Sequence, residues 1–215
     1  AEAATLYREV LAHHPEDQDI RVALAQVLSW QKQFDDAHRL YEQVLEADPK
    51  QIEARRGLAE VAHWRGNRSE ALQRYEALLA DPEIDVIYNS LPNHLHTEWT
   101  IKALRAGKHV LCEKPIALTL AELDAMSQAA QETGKVLAEA FMYRHHAQTL
   151  KVKEIVDSGE LGQIQVIKGA FTFTIRSEED YRNYKNMGGG SIWDVGCYPI
   201  SYARTIVGAE PVEVF

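Results

Sequence analysis

Over the first eighty residues the apolar positions fall at helical spacing. Leu6, Val10 and Leu11 share one stripe, and Leu40, Val44 and Leu45 share another. The stripes recur with a step of 34 residues, taking Pro15 to Pro49, Trp30 to Trp64, Leu24 to Leu58 and Ala25 to Ala59. Tyr7, Tyr41 and Tyr75 follow the same step, as do Leu11, Leu45 and Leu79, and Ala3, Ala37 and Ala71. The small alanines predict close approach of neighbouring helices, with the Trp and Tyr rings filling gaps between repeats. Near residue 82 the pattern changes. Ile84–Tyr88 is a β-rich apolar run, Thr97–Ala106 reads as a helix stopped by Gly107, and His109–Cys112 is a short strand. Thr119 and Glu122 form a capping box for a helix ending at Gly134, and Lys135–Phe141 is a third strand. Short connections through helices predict three parallel neighbouring strands. Their carboxyl ends, Ser90–Asn93, Glu113–Pro115 and Met142–Arg144, then converge on one sheet edge, where ligands of such sheets bind.

A 34-residue period of helix pairs resembles the tetratricopeptide repeat, over about residues 1–81. The resemblance implies a groove for a peptide partner, and a plain helical appendage with solvated faces stands beside it. About three stacked copies are needed for independent stability. His13, His14, His38 and His63 occupy polar helix positions and are expected to sit in water, with no metal spacing among them.

Composition narrows the class. The 215 residues are 46% hydrophobic and 26% charged, which excludes a disordered or collagen-like chain. A net charge of −9 argues against a nucleic-acid partner, which wants a basic face. No run approaches the ~18 apolar residues of a membrane span, and no signal-peptide pattern opens the chain. Cys112 and Cys197 make no disulfide framework, so a reduced, cytoplasmic setting is the expectation. The chain opens without Met and stops in the strand-like Pro211–Phe215, and so reads as a piece of something longer.

Five motifs in order carry a second resemblance: Leu91-Pro-Asn-His-Leu-His96, Ala106-Gly-Lys-His-Val-Leu-Cys-Glu-Lys-Pro115, Phe141-Met-Tyr-Arg144, Gly159-Glu-Leu-Gly162 and Gly188-Gly-Gly-Ser-Ile-Trp-Asp-Val-Gly-Cys-Tyr198. From about Tyr75 to Phe215 the chain resembles the Gfo/Idh/MocA family of NAD(P)-dependent oxidoreductases. The resemblance implies a Rossmann domain for NAD or NADP and an α/β domain with a large open sheet closing over a sugar or polyol. It implies Lys114 as the catalytic lysine, with Glu113 and Pro115 shaping its loop and a cis bond before Pro115. It places Pro92, Asn93 and His96 beneath the nicotinamide ribose, and Arg144 close to the cofactor. Asp194 and Tyr198 match the element after the glycine run. Tyr at that slot resembles the glucose–fructose oxidoreductase, xylose dehydrogenase and dihydrodiol dehydrogenase branch, where Tyr transfers the proton. The chemistry fits these types: a carbinol losing hydride needs a proton acceptor, and a nearby lysine cation is expected to draw a tyrosine pKa down from ~10.

The predicted architecture is therefore a helical-repeat part at 1–81, the C-terminal part of a Rossmann domain at 82–141, and the start of an α+β substrate domain at 142–215. None of the twelve glycines falls at the Gly-x-Gly-x-x-Gly spacing that brings backbone to a pyrophosphate. The ribose-binding acidic residue is missing too. That departure predicts weak or no turnover, and leaves open a non-catalytic interaction chain or a chimeric fragment. An unfinished sheet edge predicts self-association. Gly188-Gly-Gly190 reads as a tight turn into a helix, His94/His96 and His145/His146 lack a third metal ligand, and both cysteines read as small buried hydrophobes. Arg176–Arg182 reads as a solvated loop.

Overall fold

The computed structural model describes residues 2–214. Two compact units divide between Ile84 and Asp85.

The first unit is helical throughout: α1 (Glu2–His13), α2 (Gln18–Trp30), α3 (Phe34–Ala47), α4 (Ile52–Trp64) and α5 (Arg68–Leu79). Consecutive helices pack on one another, and α2 also meets α4. The sequence period is written into the helix boundaries. Residues 18 and 30 bound α2, and 52 and 64 bound α4, each 34 further on. Side chains of Asp17, Gln51 and Asn67 accept from Ile20 N, Ala54 N and Glu70 N, satisfying orphan donors at three helix starts. Leu24, Leu28, Tyr41, Val44 and Leu58 form the core. A Cβ at Gly57 would lie 2.2 Å from the Tyr41 ring, so the missing side chain lets α3 and α4 close.

Three expectations change here. Ala3 is exposed and Ala4 is buried in its place, because α1 turns one position against the repeat. Trp30 and Trp64 end their helices leaning into solvent rather than filling gaps, and Trp64 stacks on Phe34 at 6.2 Å. His38 is half-buried, with its Nδ1 buried and unbonded.

The second unit carries a three-stranded parallel sheet in the order β1 (Val86–Asn89), β2 (His109–Cys112), β3 (Leu137–Glu139). Tyr88 pairs with Leu111, and Leu111 with Ala138. β1 begins later than Ile84, whose amide is held in a turn by the Asp81 carbonyl. β3 is shorter than the Lys135–Phe141 run because Phe141 N turns back to the Glu139 carbonyl. Two helices, α6 (His96–Arg105) and α7 (Leu120–Thr133), cover one face, sealing Val110, Cys112, Leu104 and Met126. The Thr119/Glu122 capping box opens α7, and Gly134 at φ 65° closes it. The other face is bare: Val86 and Tyr88 are 58% and 55% exposed, beside exposed Leu111 and Ala138. Parallel sheets are normally covered on both sides.

After β3 come α8 (Ala147–Asp157) and α9 (Cys197–Val207), which pack together. The expected open sheet does not form among the described residues. Residues 165–176 run exposed and without a ladder, as a lone strand has no hydrogen-bond partner. Among the described residues no helix is long and apolar enough to cross a membrane.

Candidate active site

The three strand ends are laced together by buried side chains. Asn89, closing β1, donates from Nδ2 to the His96 carbonyl (3.2 Å) and Thr100 Oγ1 (3.1 Å), and accepts from Leu91 N (3.3 Å). That fixes the loop between β1 and α6. His96 is fully buried, with Nε2 2.7 Å from the Leu91 carbonyl and Nδ1 2.9 Å from the Pro115 carbonyl. It ties the first loop to the second. Glu139, closing β3, accepts from Ile116 N at 2.9 Å and ties the third loop to the second. The Lys114–Pro115 peptide between these clamps is cis.

Lys114 emerges from this clamp. Its Nζ donates to the Asp194 carbonyl at 2.5 Å and lies 3.1 Å from Asp194 Oδ1. The two side chains are only 13% and 10% exposed. Asp194 stands in a π-helical turn, Ile192–Gly196, leading into α9. Cys197 N closes that i→i+5 turn on the Ile192 carbonyl, and Cys197 Sγ reaches the Asp194 carbonyl at 3.7 Å beside the lysine. Arg182 Nε lies 3.1 Å from the same Asp194 Oδ1, so one carboxylate serves two cations. Beside them Glu113 accepts from the Tyr88 hydroxyl at 2.5 Å and from Lys114 N at 3.2 Å, and the Tyr88 pKa is pushed up to about 12, chiefly by that bond.

Tyr198, one turn after Asp194, sits among aromatic rings: Phe171 at 5.2 Å, Phe141 at 5.5 Å and Tyr143 at 6.2 Å. Tyr143 is itself pinned to α9, donating to Ser201 Oγ at 2.6 Å. The Lys114 ammonium lies over the Tyr198 ring, 5.1 Å from its centre. Burial, then the Glu113, Cys197 and Asp194 charges, push the Tyr198 pKa up to about 12. The expected lowering by lysine is therefore reversed. The ammonium faces the ring and spends its charge on Asp194, while the carboxylates disfavour a phenolate. Burial likewise raises the Cys112 thiol to about 11 and raises Cys197, which is half-buried.

Lys114, Glu113, Asp194 and Tyr198 thus lie together. Asn93 joins them from beneath: it is buried and donates to the Gly188 carbonyl at 2.8 Å, and His94 Nδ1 lies 3.3 Å from the Met187 carbonyl. Pro92 is half-buried at the head of this turn. His96 departs from its expected role, since a sealed ring with both nitrogens on backbone carbonyls cannot touch a ribose. Arg144 is exposed on the Met142–His145 turn, and its guanidinium makes no hydrogen bond or ion pair among the described residues. Arg182 corrects the solvated reading of Arg176–Arg182, because Asp194 draws the end of that loop inward. Its only sequence signal is an arginine shortly before the glycine run. The glycine run is a tight turn. A Cβ at Gly188 (φ 76°) would strike Asn93 Cβ at 2.7 Å, and one at Gly189 would strike the Arg182 carbonyl oxygen at 2.5 Å. Among the described residues no three His, Cys, Asp or Glu side chains group as metal ligands.

Lys114 and Tyr198 bring an ammonium and a phenol ring together near the strand ends. They do not supply a pyrophosphate cradle. The glycines of positive φ close helices and turns, and helices α1–α5 precede β1.

Two family models match the chain. One, described as an oxidoreductase family with an NAD-binding Rossmann fold, spans residues 21–141, and a GFO/IDH/MocA C-terminal domain spans 149–215. An uncharacterized oxidoreductase of Rhizobium meliloti is 46% identical over 138 residues, 64% of this chain and 41% of that protein. Among solved structures, the aldose–aldose oxidoreductase from Caulobacter crescentus complexed with glycerol aligns with TM-score 0.63 and 35% identity, covering 65% of this chain and 42% of the other. A 3-ketoreductase from Actinomadura kijaniata, in complex with NADP and TDP-benzene, aligns with TM-score 0.59 and 39% identity over 62% of this chain and 41% of the other. The chain spans about two fifths of the length of these relatives.

Proposed function

The chain belongs to the Gfo/Idh/MocA family of NAD-binding oxidoreductases, and on that premise we propose that it carries the acid–base half of a sugar or polyol oxidoreductase site. The observation that supports this most is the Lys114 ammonium, held by Asp194 and lying over Tyr198 where the strand ends converge. The nicotinamide, when bound, exchanges hydride with the sugar carbon. The protein's residues handle the oxygen. Lys114 polarises it, and Tyr198 gives its proton as the C=O bond becomes CH–OH, or takes the proton back in the oxidative direction. The phenol is protonated across neutral pH, so in the reductive direction it stands ready as the donor to a keto-sugar oxygen. The 3-ketoreductase relative fits that direction.

Pro92, Asn93 and Glu113 would shape the nicotinamide side, with Arg144 at the rim. Without a glycine cradle the cofactor is gripped at one end only, which makes binding and turnover weak in the chain as it stands. A titration with NADH and NADPH, read by nicotinamide fluorescence, tests the reading. Saturation at micromolar to low-millimolar cofactor that weakens in Lys114→Ala supports it, and no binding up to millimolar cofactor overturns it.

For the helical unit the 34-residue recurrence of helix boundaries favours a tetratricopeptide-like array with a peptide partner. Deleting residues 1–84 without loss of cofactor binding would assign the two units separate roles.

A further inference from the structure

Arg182 contributes nothing to the site as the family resemblance draws it, yet it is more tightly fixed than any exposed loop requires. Its Nη1 donates to Asp180 Oδ1 and Oδ2 at 3.2 and 3.4 Å, and its guanidinium lies over the Tyr181 ring at 4.7 Å. The backbone closes a ring around the same contact. Gly190 N donates to the Arg182 carbonyl at 3.0 Å, Asp194 N donates to the Gly190 carbonyl at 3.0 Å, and the buried Arg182 Nε lies 3.1 Å from Asp194 Oδ1, an ion-pair contact without hydrogen-bond alignment. The glycine run thus sets the distance between Arg182 and the carboxylate it holds.

The charge count gives this geometry a consequence. Lys114 and Arg182 share one oxygen of one carboxylate, and Arg182 has Asp180 as a second partner, so Asp194 divides its charge between two cations where a simple Lys–Asp pair would not. Arg stays protonated at any working pH, and its contact keeps part of the Asp194 charge away from the lysine. We infer that Arg182 is a positioning residue: it fixes the Asp194 carboxylate and draws off part of its charge, leaving the Lys114 ammonium able to polarise a sugar oxygen. This rests on the oxidoreductase reading of the site. Take Arg182 away, and Asp194 turns fully onto Lys114 as a neutral, self-satisfied pair.

A double-mutant cycle tests it. Wild type, Arg182→Gln, Arg182→Lys, Asp194→Asn and the Arg182→Gln/Asp194→Asn double variant are compared for reduction of D-fructose and other keto-sugars by NADPH, and for thermal midpoint. The expected result is a kcat about ten- to a hundredfold lower in Arg182→Gln with KM little changed. Arg182→Lys recovers part of the rate, and Arg182→Gln has no further effect once Asp194 is Asn, in rate or in midpoint. Additive losses in the double variant, or a lysine variant no better than the glutamine one, would overturn the proposal. If wild type shows neither cofactor binding nor turnover, the oxidoreductase reading fails on its own, and the cycle in thermal midpoint still decides whether Arg182 acts through Asp194.

Discussion

The ammonium of Lys114 lies over the face of the Tyr198 ring, 5.1 Å from its centre, while the Tyr198 hydroxyl points to Met142 Sδ at 3.8 Å. The lysine therefore contributes to tyrosine through the ring quadrupole, and to Asp194 through direct hydrogen bonds.

That arrangement has a pH signature. Burial raises Tyr198 from the usual value near 10 to about 12, so between those values the folded chain keeps a proton that the unfolded chain has lost. Stability is accordingly insensitive to this group below about pH 10 and falls as the pH rises from about 10 through about 12. Tyr75 and Tyr88 act in the same direction and window. Tyrosinate absorbance compared between wild type and Tyr198→Phe should lose a step near pH 12. A lost step near pH 10 would show that the phenol is solvated. In the reductive direction Tyr198→Phe should lower kcat by about 10²–10⁴.

Asp194 is the partner of both cations, so its loss strands Lys114 and leaves Arg182 with Asp180 alone. Asp194→Ala should cost about 3–5 kcal/mol in urea unfolding, the range for breaking a buried pair. Lys114→Met leaves Asp194 with Arg182 and should cost clearly less. Equal losses in the two variants would contradict the shared-carboxylate geometry.

Gly189 offers a steric test of the same ring. An added Cβ would meet the Arg182 and Tyr184 carbonyl oxygens at 2.5 and 2.8 Å, which are backbone atoms and cannot rotate away. Gly189→Ala should destabilise by about 1–3 kcal/mol, read as a lower melting midpoint. A melt unchanged from wild type would mean the turn is looser than its contacts imply.

Much of this was legible in the chain before any coordinates. The 34-residue recurrence of Trp, Tyr, Leu and Ala positions was visible and reappears in the bounds of α2 and α4, and turn chemistry at Thr119, Glu122 and Gly134 anticipated α7. The parallel order of three strands followed from their spacing, and their ends met where that order required. Other features were not legible because they depend on what comes near in space. His96 has a loop residue's spelling and a core residue's job, decided by two distant carbonyls. The Tyr198 pKa moved opposite to expectation because sequence gives the neighbours and not the side from which they approach. Arg182 looked solvated because nothing local marks the carboxylate that recruits it. The open sheet expected of the third part did not form, because the exposed stretch 165–176 has no neighbouring strand to pair with.

The bare face of the parallel sheet also sets the colloidal behaviour of the chain. Val86, Tyr88 and Leu111 offer neighbouring molecules an adhesive, water-averse panel. What keeps such molecules apart at neutral pH is the mutual repulsion of nine surplus negative charges. Acidifying toward the isoelectric point near 5.5 erases the repulsion and leaves the panel untouched, so the chain leaves solution there first and salting brings that limit closer to neutrality.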